Sequence, residues 1–129
     1  MNHKVIGNVI SGNKIGRGLG FPTANIIIPS GDNIRDGVWA GMVIVAQKSY
    51  PAMINIGNNP TVREGQERRL EAHLLGFNGE LYGKQIEVEL LEFIRGEIRF
   101  DSLEELKAQI EKDKVRIEIF FRNYKKRIK

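Results

Sequence analysis

Apolar positions recur with period two over most of the chain, and only the last quarter changes to a helical spacing. Alternation over 4–8 residues marks a half-buried strand, because successive side chains on a strand face opposite ways. Six such runs stand out: Val5–Ile10, Ala24–Ile28, Val38–Ala46, Tyr50–Ile56, Arg69–Leu75 and Gln85–Ile94. In the last of these Ile86, Val88 and Leu90 alternate with Glu87 and Glu89, which predicts one wet face. Val38–Ala46 is apolar on both faces, as expected of a central strand. Turn residues separate the runs: Pro29-Ser30-Gly31-Asp32 stops the second, and Asn78-Gly79 reads as a hairpin turn before the sixth.

The helix comes last. Ser102-Leu103-Glu104-Glu105 has the form of a capping box, in which the Ser102 side chain serves the amide three residues on and Glu105 reaches back. Leu103, Leu106, Ile110, Ile117, Phe121 and Tyr124 then follow at helical intervals. Val115-Arg116-Ile117-Glu118-Ile119 also alternates with period two; a helix is favoured there, whole or frayed. Six strands without intervening helices argue against a parallel sheet. The predicted fold is mainly β: a six-stranded antiparallel, Greek-key-like β-barrel or closed sandwich with a C-terminal α-helix.

Length and composition narrow this picture. The chain has 129 residues, the size of one domain, so residues 1–129 are expected to form a single unit. It has no cysteine, which excludes disulfides, thiolate metal sites and a cysteine nucleophile. No run approaches the roughly 18 apolar residues of a membrane span, and Met1–Gly7 has no apolar core of a secretory signal. A cytoplasmic protein with no membrane partner is expected. The net charge of +4 suggests nucleic acid until it is located. Arg122, Lys125, Lys126, Arg127 and Lys129 sit in the last eight residues without an acid, leaving 15 bases against 16 acids in residues 1–121. Nucleic-acid affinity needs basic residues clustered on the folded body. The excess here reads as a solvated basic tail, about 122–129, and no nucleic-acid partner is expected.

Three segments are candidates for chemistry. Gly16-Arg17-Gly18-Leu19-Gly20-Phe21-Pro22-Thr23-Ala24-Asn25 is neither a Walker A loop, lacking Gly-Lys-Ser/Thr, nor a dinucleotide fingerprint, since Pro22 disfavours a helix start at Phe21. Its glycines suit either a flexible hairpin or backbone amides closing on phosphate. Beyond Pro22 the chain looks extended, so Thr23 and Asn25 project together as two neutral oxygen donors. Mg²⁺ takes few ligands from protein and completes its octahedron with phosphate and water oxygens; the same two residues also serve as ordinary turn residues. On the fifth run Glu71 and His73 share a face opposite Leu70, Ala72 and Leu74. That pair suits proton transfer, or is a chance pair on a wet outer face. Arg95, leaving the sixth run, suits an anionic ligand or a simple pairing with Glu97.

Together these segments resemble riboflavin kinase, the ATP-dependent enzyme that makes FMN and that forms the C-terminal half of bifunctional FAD synthetase in many bacteria. The resemblance is carried in order by Gly16-Arg17, Leu19-Gly20-Phe21-Pro22-Thr23-Ala24-Asn25, Gly37-Val38 with Ala40, Asn55-Ile56-Gly57 with Asn59-Pro60-Thr61, Glu71 with His73, Leu81-Tyr82-Gly83-Lys84, Phe93-Ile94-Arg95, and Phe100 with Ser102-Leu103 and Leu106. It implies a six-stranded barrel with a C-terminal helix, and transfer of phosphate from ATP to the riboflavin 5′-hydroxyl to give FMN and ADP. It implies Mg²⁺ or another divalent cation held with ATP at Thr23 and Asn25, and Glu71 as the general base. Nucleotide contacts would fall on Gly12, Arg17, Thr23, Leu74 and Tyr82, and flavin contacts on Arg95 and Phe100. His73 is then a neighbour of the base.

The chain departs from the family pattern in three places. Gly76 replaces a common Asp before Phe77, Ile98 stands where some relatives carry a basic residue near the flavin, and the segment from Lys114 onward is richer in Ile and Phe. A dimer or a neighbouring adenylyltransferase domain of a full-length protein would cover such a face. The alternatives to a kinase are a catalytically silent flavin- or nucleotide-binding barrel and a small nucleic-acid-binding barrel.

Overall fold

Strands form where the apolar pattern places them, with ends displaced by at most two residues: β1 (His3–Asn8), β2 (Thr23–Ile27), β3 (Gly37–Val45), β4 (Lys48–Asn58), β5 (Arg68–Leu74) and β6 (Gln85–Arg95). One helix, α1 (Leu103–Arg127), follows. The architecture comes from a computed structural model that describes residues 3–10, 22–29, 31–58 and 68–127.

The strands make one antiparallel sheet in the order β1-β6-β3-β4-β5-β2, curled into an incompletely closed barrel. Its two edges approach each other beyond β1, where the Ile10 amide donates to the Asn25 carbonyl at 2.9 Å. The inward residues are those that the alternation selects. Ala24 and Ile26, Ala52, Ile54 and Ile56, Leu70, Ala72 and Leu74, and Ile86, Val88 and Leu90 fill the barrel core.

β3 is apolar on both faces because it has two cores to serve. Val43 and Val45 point into the barrel, while Val38 and Ala40 on the other face join Met53 and Ile94 as a seat for α1. The helix docks there through Ile117, Phe120 and Phe121, with Ile110 and Tyr124 partly buried beside them. It runs unbroken through 115–119, the helical reading of that stretch rather than the period-two one. Residues two apart on a helix lie about 200° apart, at about 100° each. Ile117 therefore faces the barrel while Val115 and Ile119 emerge on the other side, half-exposed.

Two further expectations are corrected. Asn78-Gly79 does not close a hairpin: β5 pairs with β4 and β2, β6 pairs with β1 and β3, and the segment between them crosses from one pair to the other. Its Phe77 packs edge-on against Tyr50, and Leu81 enters the barrel core. The dipeptide marks a bend, but which strands pair is decided by how the whole sheet closes. Leu103, at the first turn of α1, is 64% exposed and takes no part in the helix seat. The helix continues through Arg127, with Arg122 and Lys125 exposed, and Tyr124 stacks on Phe120 with ring centroids 5.7 Å apart. Lys125, in the last turn, complements the carbonyl end of the helix dipole.

The cap forms nearly as read. Ser102 Oγ accepts from the Glu105 amide at 3.1 Å, while the Glu105 carboxylate reaches the Asp101 amide, one residue beyond the expected partner.

Candidate active site

The ladder gathers the selected polar residues on the outer face of the barrel. Asn25 on β2 lies opposite Glu71 on β5, Glu71 lies opposite Asn55 on β4, Asn55 opposite Val38 on β3, and Val38 opposite Arg95 on β6. One pleat along, Thr23 lies opposite His73, and His73 opposite Met53. Directly opposed residues of an antiparallel pair share a face with Cβ atoms about 4.5–5.5 Å apart. Thr23, Asn25, Glu71, His73 and Asn55 therefore form one polar patch on three adjacent strands, while the residues between them line the core.

Within this patch His73 Nε2 lies 3.8 Å from Glu71 Oε1 and 3.4 Å from Asn55 Nδ2. His73 is only 1% exposed, so the outer face of β5 is dry at this point rather than the wet surface of the blander reading. Asn55 was quoted only as part of a motif. What brings it to Glu71 is the pairing of β4 with β5, which no local pattern reveals.

Arg95 pairs with neither Glu97 nor open solvent. Its Nε and Nη2 donate to the two carboxylate oxygens of Asp113 at 2.9 and 2.7 Å, and Nη1 donates to the Gly96 carbonyl at 2.9 Å. Asp113 is 1% exposed and also accepts from Gln109 Nε2 at 3.0 Å. Sequence reasoning passed over Asp113, although an acid at 113 between Ile110 and Ile117 on the buried stripe of the helix is a visible signal.

Two glycines permit close approach at the margin of this face. A Cβ on Gly37, whose φ is +139°, would lie 2.3 Å from the Arg95 carbonyl. A Cβ on Gly57 would lie 3.0 Å from Glu97 Oε1. The Glu97 carboxylate thus rests over the β4 backbone instead of meeting Arg95.

The remaining candidates are placed unequally. Leu74 is fully buried in the barrel core and its amide donates to the Pro22 carbonyl at 3.0 Å, so its side chain is closed to a nucleotide. Tyr82 is 66% exposed, on a turn tied to the end of β1 by the Gly83 amide and the Val9 carbonyl at 3.0 Å. Phe100 is half-buried just before α1. Gly12 and Arg17 lie outside the described residues. So do Gly16, Gly18 and Gly20 of the Gly-rich segment and the Asn59-Pro60-Thr61 motif. A groove between β6 and α1, lined by Glu92, Ile94, Arg116, Ile119, Phe120 and Asn123, contains none of the candidates.

The donor set can be weighed for a divalent cation. Thr23 and Asn25 offer hard neutral oxygens on one face, opposite His73 and the Glu71 carboxylate. Among the described residues no group of three or more His, Cys, Asp or Glu forms a protein-only cage. Sparse oxygen ligation completed by phosphate and water is the mode that Mg²⁺ favours, so these residues fit it.

Comparison with known proteins now decides the family. The flavokinase family model, described as riboflavin kinase, matches residues 1–121. The chain belongs to the riboflavin kinase family. It is 42% identical over 120 residues to the bifunctional riboflavin kinase/FMN adenylyltransferase of Haemophilus influenzae, covering 92% of this chain and 39% of that protein. It therefore spans about two-fifths of that relative's length. The riboflavin kinase of Trypanosoma brucei has a similar structure, with a TM-score of 0.65 and 26% identity over 92% of this chain and 79% of that one. A structure described as a macrolide-efflux protein from Streptococcus pneumoniae gives a TM-score of 0.70 and 34% identity, over 86% of this chain and 36% of that one. Among the described residues no helix is long and apolar enough to cross a membrane.

Proposed function

We propose that this riboflavin kinase family chain transfers the γ-phosphoryl group of ATP to the riboflavin 5′-hydroxyl, giving FMN and ADP, with Glu71 as the general base. The observation that carries this is the opposition of Glu71 to Asn25 in the β2–β5 ladder, which sets a carboxylate beside two neutral oxygen donors. Phosphoryl transfer asks for positioning and charge stabilisation more than covalent chemistry. Glu71 aligns the hydroxyl and takes its proton as the hydroxyl oxygen bonds to the γ-phosphorus. The bond from that phosphorus to the bridging oxygen breaks, and ADP leaves with the electron pair. Thr23 and Asn25 would hold the metal–ATP complex, in which Mg²⁺ would supply charge neutralisation for the triphosphate.

Residues 1–129 are read as one kinase domain, and a separate adenylyltransferase domain would belong to a longer protein. The ladder also supports a direction for the flavin. Glu71 and Arg95 occupy one row three strand spacings apart, about 14 Å along the curved sheet at about 4.8 Å each. Val38, between them in the row, is buried under α1, so a flavin with its hydroxyl end at Glu71 and its ring towards Arg95 and Phe100 would pass over the helix margin rather than along the sheet. Arg95 would present a fixed edge to it, since the buried Asp113 already orients the guanidinium. The test is to incubate the protein with riboflavin and Mg·ATP and separate the products. FMN and ADP in equal amounts are expected; flavin binding without FMN would make the chain a silent binder.

A further inference from the structure

The Glu71 carboxylate belongs to a triangle. His73 follows it by two positions on β5, Asn55 faces it across the ladder, and Asn55 reaches His73 Nε2 on the diagonal. His73 stands at a border: its ladder neighbour Met53 belongs to the apolar seat of α1, and its other neighbour Thr23 belongs to the polar patch. Nε2 meets both polar partners, and one ring nitrogen cannot accept from Asn55 and donate to Glu71 together; Asn55 takes the hydrogen bond at 3.4 Å and the enclosed ring bounds the carboxylate at 3.8 Å. A glutamate on an outer sheet face otherwise has three side-chain torsions to order. A base must be held within a fraction of an ångström of its target, and a 1 Å displacement costs as much as about 10²-fold in rate.

We propose that His73, oriented by Asn55, is a positioning residue that holds the Glu71 carboxylate opposite Asn25. This rests on the reading of Glu71 as the base. His73 itself touches no reacting atom. A histidine that served packing alone would affect stability without separating kcat from KM, so the kinetics distinguish the two roles.

The experiment measures FMN formation by the 129-residue chain and by His73→Leu, His73→Gln and Asn55→Ala, with thermal melts of each. His73→Leu keeps bulk but removes the polar nitrogen, and kcat is expected to fall roughly 10–10²-fold with both KM values within about threefold. His73→Gln places an amide near the former Nε2 whose oxygen can accept from Asn55 as the ring nitrogen does, and is expected to return kcat to within about fivefold of the parent. Wild-type kcat in a folded His73→Leu protein overturns the proposal, as does a glutamine variant no faster than the leucine one. Should His73→Leu fail to fold, Asn55→Ala takes its place: a kcat loss of about tenfold at unchanged KM is expected, and wild-type kcat overturns the proposal. A parent protein that makes no FMN instead removes the reading of the site, and the positioning role falls with it.

Discussion

Residues on the outer face of β2 and β5 carry the proposed chemistry, and two substitutions separate their roles. Glu71→Gln preserves shape and a hydrogen-bonding oxygen but removes the basic charge. A positioned general base is worth roughly 10²–10⁴ in rate, or about 3–5 kcal/mol of barrier. Turnover in single-turnover FMN assays is expected to fall by about that factor, with titrated affinities for riboflavin and Mg·ATP nearly unchanged. Wild-type turnover would remove Glu71 as the base. Asn25→Ala should instead weaken Mg·ATP binding and turnover together, with little change in melting temperature. Its neighbours Ala24 and Ile26 hold the strand in the core, so the asparagine itself is not needed to anchor β2. A variant that melts early yet works normally when folded would make Asn25 a structural residue. The pairing of Thr23 with Asn25 was legible, because alternate positions on an extended chain share a face. The same alternation that turns Glu71 and His73 outward turns the Leu74 side chain into the core.

At the scale of elements, the β3–β4 turn departs from its usual sequence. Ala46 and Gln47 have φ of 52° and 69°, the two positive values that a two-residue type I′ hairpin requires. Non-glycine residues pay about 1–2 kcal/mol each in the left-handed region, and Asn-Gly adopts it with much less strain. The double change Ala46→Asn, Gln47→Gly is therefore expected to raise stability by about 1 kcal/mol and the melting temperature by about 4 °C. An unchanged or lower value in a thermal melt would show that the turn is already relaxed. The true hairpin here had no sequence signature, while Asn78-Gly79 had the signature and no hairpin. Local turn preference is weaker than the pairing of two strands that each bury a face. The capping box, by contrast, forms in place, because it depends only on residues within one turn.

For the whole molecule, the latch between β6 and α1 matters most. Arg95 and Asp113 join barrel and helix through a buried, two-pronged ion pair, so its loss should loosen the helix seat as a unit. Breaking such a pair by removing one partner costs about 3–5 kcal/mol. Asp113→Ala is expected near the lower end, about 3 kcal/mol, because Arg95 keeps its bond to the Gly96 carbonyl and some access to water. Urea denaturation measures it, and a loss below about 1 kcal/mol, the range of a surface pair, would show that the helix is held by its apolar contacts alone. Six strands, a capped C-terminal helix, and the faces on which Thr23, Asn25, Glu71 and His73 project are all legible in the chain's own pattern. Each of these follows from short-range periodicity, since a side chain's direction on a strand or helix depends only on its place in the repeat. Tertiary structure alone decided that β5 lies between β2 and β4, that Asn55 meets His73, that Leu103 stays in water, and that Asp113 is the partner of Arg95. Those contacts join residues 18 positions apart or depend on where the curled sheet meets the helix. Their energies come from closing the barrel and burying its second face, not from any local pattern.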